Sequence, residues 1–181
     1  LKVQTDVAQL SLDDPGAQSK ALGQLHAGID RASRLVDQLL TLSRLDSLDN
    51  LDDVEPVMMA DLLQSAVLDI WHPAQQAGID VRLNVNAPEV MRHGQPLLLS
   101  LLARNLLDNA VRYSPRGSVV DVTLNTQSFT VRDNGPGIST DALTRLGERF
   151  YRPPGQDATG SGLGLSIVMR IAALHGMRVS L

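Results

Sequence analysis

Asn105-Leu106-Leu107-Asp108-Asn109-Ala110-Val111-Arg112-Tyr113-Ser114 closes an apolar stretch that begins at Pro96. The spacing predicts a helix over 96–113. On that helix Asn105, Asp108, Asn109 and Arg112 fall at i, i+3, i+4 and i+7, which is one face. Leu102, Leu106, Leu107 and Ala110 take the opposite face. Burying amides on an otherwise apolar helix is costly unless each finds a partner. The stripe therefore faces either solvent or a polar ligand.

Two glycine motifs downstream weigh for the ligand. Asp133-Asn134-Gly135-Pro136-Gly137 follows the strand-like Phe129-Thr130-Val131; alone it would read as an ordinary turn. Gly160-Ser161-Gly162-Leu163-Gly164-Leu165 opens a second apolar helix over 162–174, and a lone glycine repeat is a weak signal. It is no P-loop, since no Gly-Lys-[Ser/Thr] follows. The preceding Pro153-Pro154-Gly155 is not the strand a dinucleotide-binding turn requires. What remains is a glycine-rich turn at a helix start, where N–H groups and the positive dipole end favour phosphate. Between the motifs, residues 138–159 hold a short helical stretch at 141–146. Glu148-Arg149-Phe150-Tyr151-Arg152-Pro153-Pro154 comes next. A connection this long and rich in Pro, Gly and Thr is commonly a lid over a site.

Taken in this order, the three motifs resemble the nucleotide pocket of the histidine-kinase branch of the GHKL (HATPase_c) ATP-binding superfamily. The resemblance covers essentially the whole chain, and the lid wording is most similar to one enterobacterial branch of these sensor kinases. It implies an α+β fold, a two-layer α/β sandwich of the Bergerat type preceded by part of a dimerisation hairpin. It implies ATP and Mg²⁺ as ligands. Asn109 is then the metal ligand and Asn105 a supporting metal or phosphate contact; a neutral amide oxygen suits Mg²⁺ that keeps waters and phosphate oxygens. Arg112 lies near the phosphates, and Tyr113 covers the adenine face. Asn105, Asn109 and Arg112 form the catalytic set. Asp133 is expected to be buried and to accept a hydrogen bond from the adenine amino group, with Gly135 and Gly137 letting the backbone approach the base. Gly160, Gly162 and Gly164 meet the phosphates. Phe150 matches the family's F box and is expected to latch the lid hydrophobically, and either Arg149 or Arg152 reaches the γ-phosphate. Related ATPases carry Glu where this chain has Asn105. An amide is no general base, so this pocket is expected to hold ATP without readily hydrolysing it.

The composition agrees. A chain of 181 residues with 43% apolar and 3% aromatic residues can build a core, packed by Leu, Val, Ile and Ala. A net charge of -4 gives no basic face for nucleic acid. With no cysteine there are no disulfides and no thiolate metal sites. No run of about 18 apolar residues spans a membrane, and no signal peptide is present. The resemblance implies the cytoplasmic domain of a bacterial inner-membrane protein, with no membrane contact from these residues.

Three segments are expected. Residues 1–46 form a partial helical hairpin. In it Leu22, Leu25, Ile29, Ala32, Val36 and Leu39 recur as a heptad seam, either packing on its own domain or pairing with residues 1–12 and a second copy to close a four-helix bundle. Asp13-Asp14-Pro15-Gly16 reads as a turn. Residues 47–56 are an acidic linker. Residues 57–181 form the ATP-binding domain, with a strand at 57–59, a helix over 60–77, strands at 79–85, 118–126 and 128–132, and a last short strand after Gly176. The chain starts at Leu1-Lys2-Val3 without a helix cap and ends at Val179-Ser180-Leu181. Both ends are expected to lie inside a longer protein, with the final strands of the family's sheet beyond Leu181.

The expected activity is transfer of the ATP γ-phosphoryl group to a His on the dimerisation bundle, for relay to an Asp on a response-regulator receiver domain. The family's acceptor His is followed by Glu or Asp and, five residues on, by Pro. His26, His72, His93 and His175 all fail that pattern, so these residues are expected to bind nucleotide without phosphorylating themselves. The rivals are a GHKL-type ATPase or anti-sigma-like serine kinase, and a non-catalytic dimerisation and docking module.

Overall fold

The computed structural model describes residues 15–153 and 160–181. The chain divides into two compact units at Ser43. Helix α1 (Pro15–Asp46) supplies the described part of the first. A proline in the first helical turn gives up an N–H that has no intrahelical partner anyway; Asp13 and Asp14 of the expected turn lie outside the described residues. Leu22, Ile29, Val36, Leu39 and Leu40 are exposed. The heptad seam is thus largely exposed to solvent, with Leu25 half-buried. Its expected hairpin partner, residues 1–12, lies outside the described residues.

The second unit, Arg44–Leu181, runs from the last turn of α1 through β1 (Glu55–Met58), α2 (Met59–Ala77), β2 (Asp80–Val85), β3 (Met91–Gly94), α3 (Pro96–Tyr113), β4 (Val119–Leu124), β5 (Phe129–Arg132), α4 (Thr140–Leu143) and α5 (Gly164–Leu174). Strand β4 pairs in parallel with β2, Val81 opposite Val120, and antiparallel with β5, Val122 opposite Val131. Strands β1 and β3 form a separate antiparallel ribbon with Glu55 opposite Gly94. This ribbon was not foreseen: Met91-Arg92-His93-Gly94 shows no alternation, and only its non-local partner makes it a strand.

The layers follow from the two periodicities. Val120, Val122 and Leu124 of β4 are buried at every second position. Leu63, Ala66, Ile70 and Ala74 of α2, and Leu99, Ala103, Leu107 and Ala110 of α3, repeat at steps of three and four. All of them join one core with Ile79 and Val81. Helix α5 buries Ile167, Val168 and Ile171 and packs on α3. This is the expected two-layer sandwich. Gly78, at φ 72°, ends α2 in the left-handed region and its N–H closes on Ala74 and Gln75.

The strand expected after Gly176 is absent. Residues 177–181 pair with no strand among the described residues. The Met177 N–H donates instead to the Ala172 carbonyl at 2.8 Å, closing the end of α5. Alternation of Met177, Val179 and Leu181 does not make a strand without a ladder partner.

Candidate functional site

Helix α3 carries the first motif on the side that meets the start of α5. Asn105 is 7% exposed, and its Nδ2 donates to the Leu101 carbonyl one turn back at 2.8 Å. Its Oδ1 is presented to Gly164: a methyl group on that glycine would lie 3.2 Å away, and 3.5 Å from each amide atom of Asn109. The absent side chain of Gly164 therefore leaves a cradle walled by two amides. Asp108 and Asn109 are half-buried and Arg112 is exposed. The stripe read from the sequence thus grades from buried to open along one helix face.

The other glycines close the arrangement. A methyl on Gly160 would fall 3.1 Å from Arg112 Nη1 and 3.5 Å from Tyr113 Oη. On Gly135 it would fall 2.8 Å from Asp133 Oδ1 and 2.9 Å from the Tyr113 carbonyl. Residues of three motifs, far apart in sequence, meet around the C-terminal half of α3. Gly137, at φ 74°, has open space where a side chain would stand.

Two expectations are corrected. Asp133 is exposed rather than buried. Its Oδ1 accepts the Gly135 N–H at 2.8 Å, and this tight turn two residues on keeps the carboxylate at the surface. Phe150 is 56% exposed, so its side chain makes no hydrophobic latch among the described residues. The join is a backbone one, the Phe150 N–H donating to the Gly162 carbonyl at 3.1 Å. Phe150 sits at φ 63°, a costly conformation for an aromatic residue.

The described start of the lid is compact. Ser139 caps α4 by accepting the Ala142 N–H. Arg145 binds Glu148 at 2.9 Å and stacks over the Tyr151 ring at 4.2 Å. The hydrogen bonds that Arg145 donates to the Glu148 carboxylate raise the guanidinium's pKa above its ordinary value.

Three contacts escaped the sequence reading. Arg149 pairs with Asp46 at 2.6 Å. Arg170 donates to the carbonyls of Leu45 at 3.1 Å and Leu48 at 2.6 Å. Arg170 is the single charge on the otherwise apolar α5, a signal that could have marked it. His175 receives the Gln95 N–H on Nε2 at 3.1 Å, so Nδ1 carries the proton and donates to the Ile171 carbonyl at 2.8 Å. That imidazole staples the end of α5 to the start of α3. A separate hollow between α2 and α3, lined by Ser65, Asp69, Leu97, Leu101 and Arg104 among others, touches none of the motif residues.

Residues 94–181 match the family described as histidine kinase-, DNA gyrase B-, and HSP90-like ATPase. The sensor protein QseC of Salmonella typhi is 76% identical over 180 residues, covering 99% of this chain and 40% of that protein. The chain thus spans about two fifths of the length of such curated relatives. The solved cytoplasmic segment of histidine kinase QseC is 63% identical, with a TM-score of 0.59, covering 84% of this chain and 83% of that one. Full-length ShkA, solved in complex with AMPPNP, is 26% identical with a TM-score of 0.70, over 89% of this chain and 34% of that one. The chain belongs to the sensor histidine kinases, QseC-type, and carries their ATP-binding domain.

Proposed function

We propose that this chain is the kinase core of a two-component sensor. It binds Mg-ATP between the lid and α3 and passes the γ-phosphoryl group to a His on a dimerisation bundle, for relay to an Asp of a response regulator. The observation that carries the reading is the cradle at Gly164, walled by Asn105 and Asn109, with Gly160 against Arg112 beside it. The glycine turn offers backbone N–H groups at a helix start, which suit phosphate. Asn109, supported by Asn105, would hold Mg²⁺ through its amide oxygen, and the ion's charge would offset that of the phosphates. Among the described residues no cluster of three or more His, Cys, Asp or Glu side chains offers an all-protein metal cage. Arg112 neutralises phosphate, Tyr113 covers the base, Asp133 accepts from the adenine amino group, and Gly135 and Gly137 leave room for it. Catalysis rests on positioning and charge neutralisation.

The nucleotide carried by ShkA supports the ligand class. The cytoplasmic origin of the QseC segment supports a cytoplasmic location on an inner-membrane parent. The exposed stripe on α1 supports a homodimer. None of the four histidines has the acceptor pattern, so these residues bind nucleotide without labelling themselves. Calorimetric titration with ATP and ADP, with and without Mg²⁺, tests the reading. Saturable binding at one site per chain is expected, and absence of binding overturns it. Radiolabel transferred from ATP to the chain would overturn the second statement alone.

A further inference from the structure

We propose that Asp46 competes with the nucleotide for Arg149: its carboxylate holds the lid arginine that a bound polyphosphate would otherwise recruit. This rests on the ATP-binding reading above and adds a control built into that site.

Arg149 Nη2 lies 2.6 Å from Asp46 Oδ2, across 103 residues of sequence. Arg149 immediately precedes Phe150, whose N–H is bonded to the Gly162 carbonyl. Consecutive Cα atoms are about 3.8 Å apart, so Arg149 leaves the backbone at the edge of the glycine turn. Its long side chain runs to Asp46. A guanidinium fork fits carboxylate and phosphate oxygens alike, and one fork cannot be fully engaged by both.

Asp46 is no loose surface acid. Leu45 beside it is almost fully buried. Arg170 grips the Leu45 and Leu48 carbonyls on either side, and Ser47 and Leu48 donate back to Arg44 and Leu45 to close the end of α1. Arg170 thus presents the Asp46 carboxylate at a fixed place. The pair itself is largely exposed, with side chains 54% and 37% accessible, and ion pairs so exposed are weak. It is therefore well suited to exchange: firm in position, soft in energy.

The test is Mg-ATP titration of the full chain as wild type, Asp46→Asn, Arg149→Ala and the double variant. Asp46→Asn, isosteric and exposed, should bind ATP about two- to fivefold tighter. Arg149→Ala should bind it more weakly, and adding Asp46→Asn to that background should change nothing. Arg170→Ala, which frees the Asp46 segment, should shift affinity in the same direction as Asp46→Asn. Unchanged or weaker ATP binding by Asp46→Asn overturns the proposal and leaves the nucleotide reading standing, as does a gain that survives in the Arg149→Ala background. A wild-type chain that binds no ATP overturns both.

Discussion

A methyl group on Gly162 would stand 2.8 Å from the carbonyl carbon of Phe150 and 2.9 Å from its Cα. The two residues face each other in left-handed conformations, at φ 72° and 63°, and are joined by the hydrogen bond from Phe150 N–H to Gly162 O. Backbone against backbone cannot yield as a flexible side chain can.

Gly162→Ala should therefore break the join between lid and glycine turn. The added Cβ is strained by φ and blocked by Phe150, a cost of about 1–3 kcal/mol. ATP affinity should fall about tenfold or more while the core between α2, α3 and the β2–β4–β5 sheet, which does not include this turn, stays folded. Calorimetry read beside a thermal melt checks this; wild-type affinity in the variant would contradict it.

Asp133→Ala should cost about 1–3 kcal/mol of nucleotide binding, since the adenine amino group loses a charged acceptor. Because the adenine is common to both ligands, ATP and ADP should lose affinity equally. A loss confined to ATP would move Asp133 from the base to the phosphates. The exposure of Asp133 in the structure makes this the sharpest trial of its assigned role.

Asn109→Ala should weaken ATP binding chiefly when Mg²⁺ is present. The amide lies beside Gly164, where metal and phosphate would meet. Titrations with Mg²⁺ and with EDTA separate the cases, and equal losses in both would refute the metal role.

The sequence was most legible where one periodicity dominates. Helix α3 is bounded by Pro96 and Tyr113 as read, because an apolar face, a proline at the start and a long uninterrupted run all agree. Strand β4 alternates cleanly and was found. Strand β3 was missed because four residues without alternation become a strand only by pairing with β1. The strand after Gly176 was overread because alternation carries no information about a partner. Motif order named residues that do meet around α3, Gly164 beside Asn105 and Asn109, Gly160 beside Arg112 and Gly135 beside Tyr113, but not the environments of those residues. The exposure of Asp133 and of the Phe150 ring depends on turn geometry that no spacing rule encodes. The Asp46–Arg149 pair joins residues 103 apart, beyond the reach of any local pattern.

The stripe of Leu22, Ile29 and Val36 on α1 is exposed at heptad spacing. If a second copy covers it, Ile29→Glu should shift the chain towards monomer in sedimentation velocity, since a charge at a seam position is poorly tolerated. ATP binding per chain should hold, because Ile29 lies 17 residues, about 25 Å along the helix, from Asp46. An unchanged mass distribution, or a wild type that is monomeric throughout, would remove the dimer from the reading.

His175→Ala tests what fixes the α3–α5 pair. The imidazole accepts the Gln95 N–H and donates to the Ile171 carbonyl, and it fills the space beside Gly94, where a methyl group would meet it at 2.7 Å. Truncation leaves the Gln95 N–H without its partner and opens a gap at the start of α3. Unfolding by urea should show a loss of about 1–3 kcal/mol. Gln95 is ten residues from Asn105, about 15 Å along the helix, so ATP affinity should stay within about twofold of wild type at temperatures where the variant is folded. A large loss of affinity with unchanged stability would mean instead that His175 acts on the pocket, and that α3 transmits a shift at its first turn to the amides of its C-terminal half.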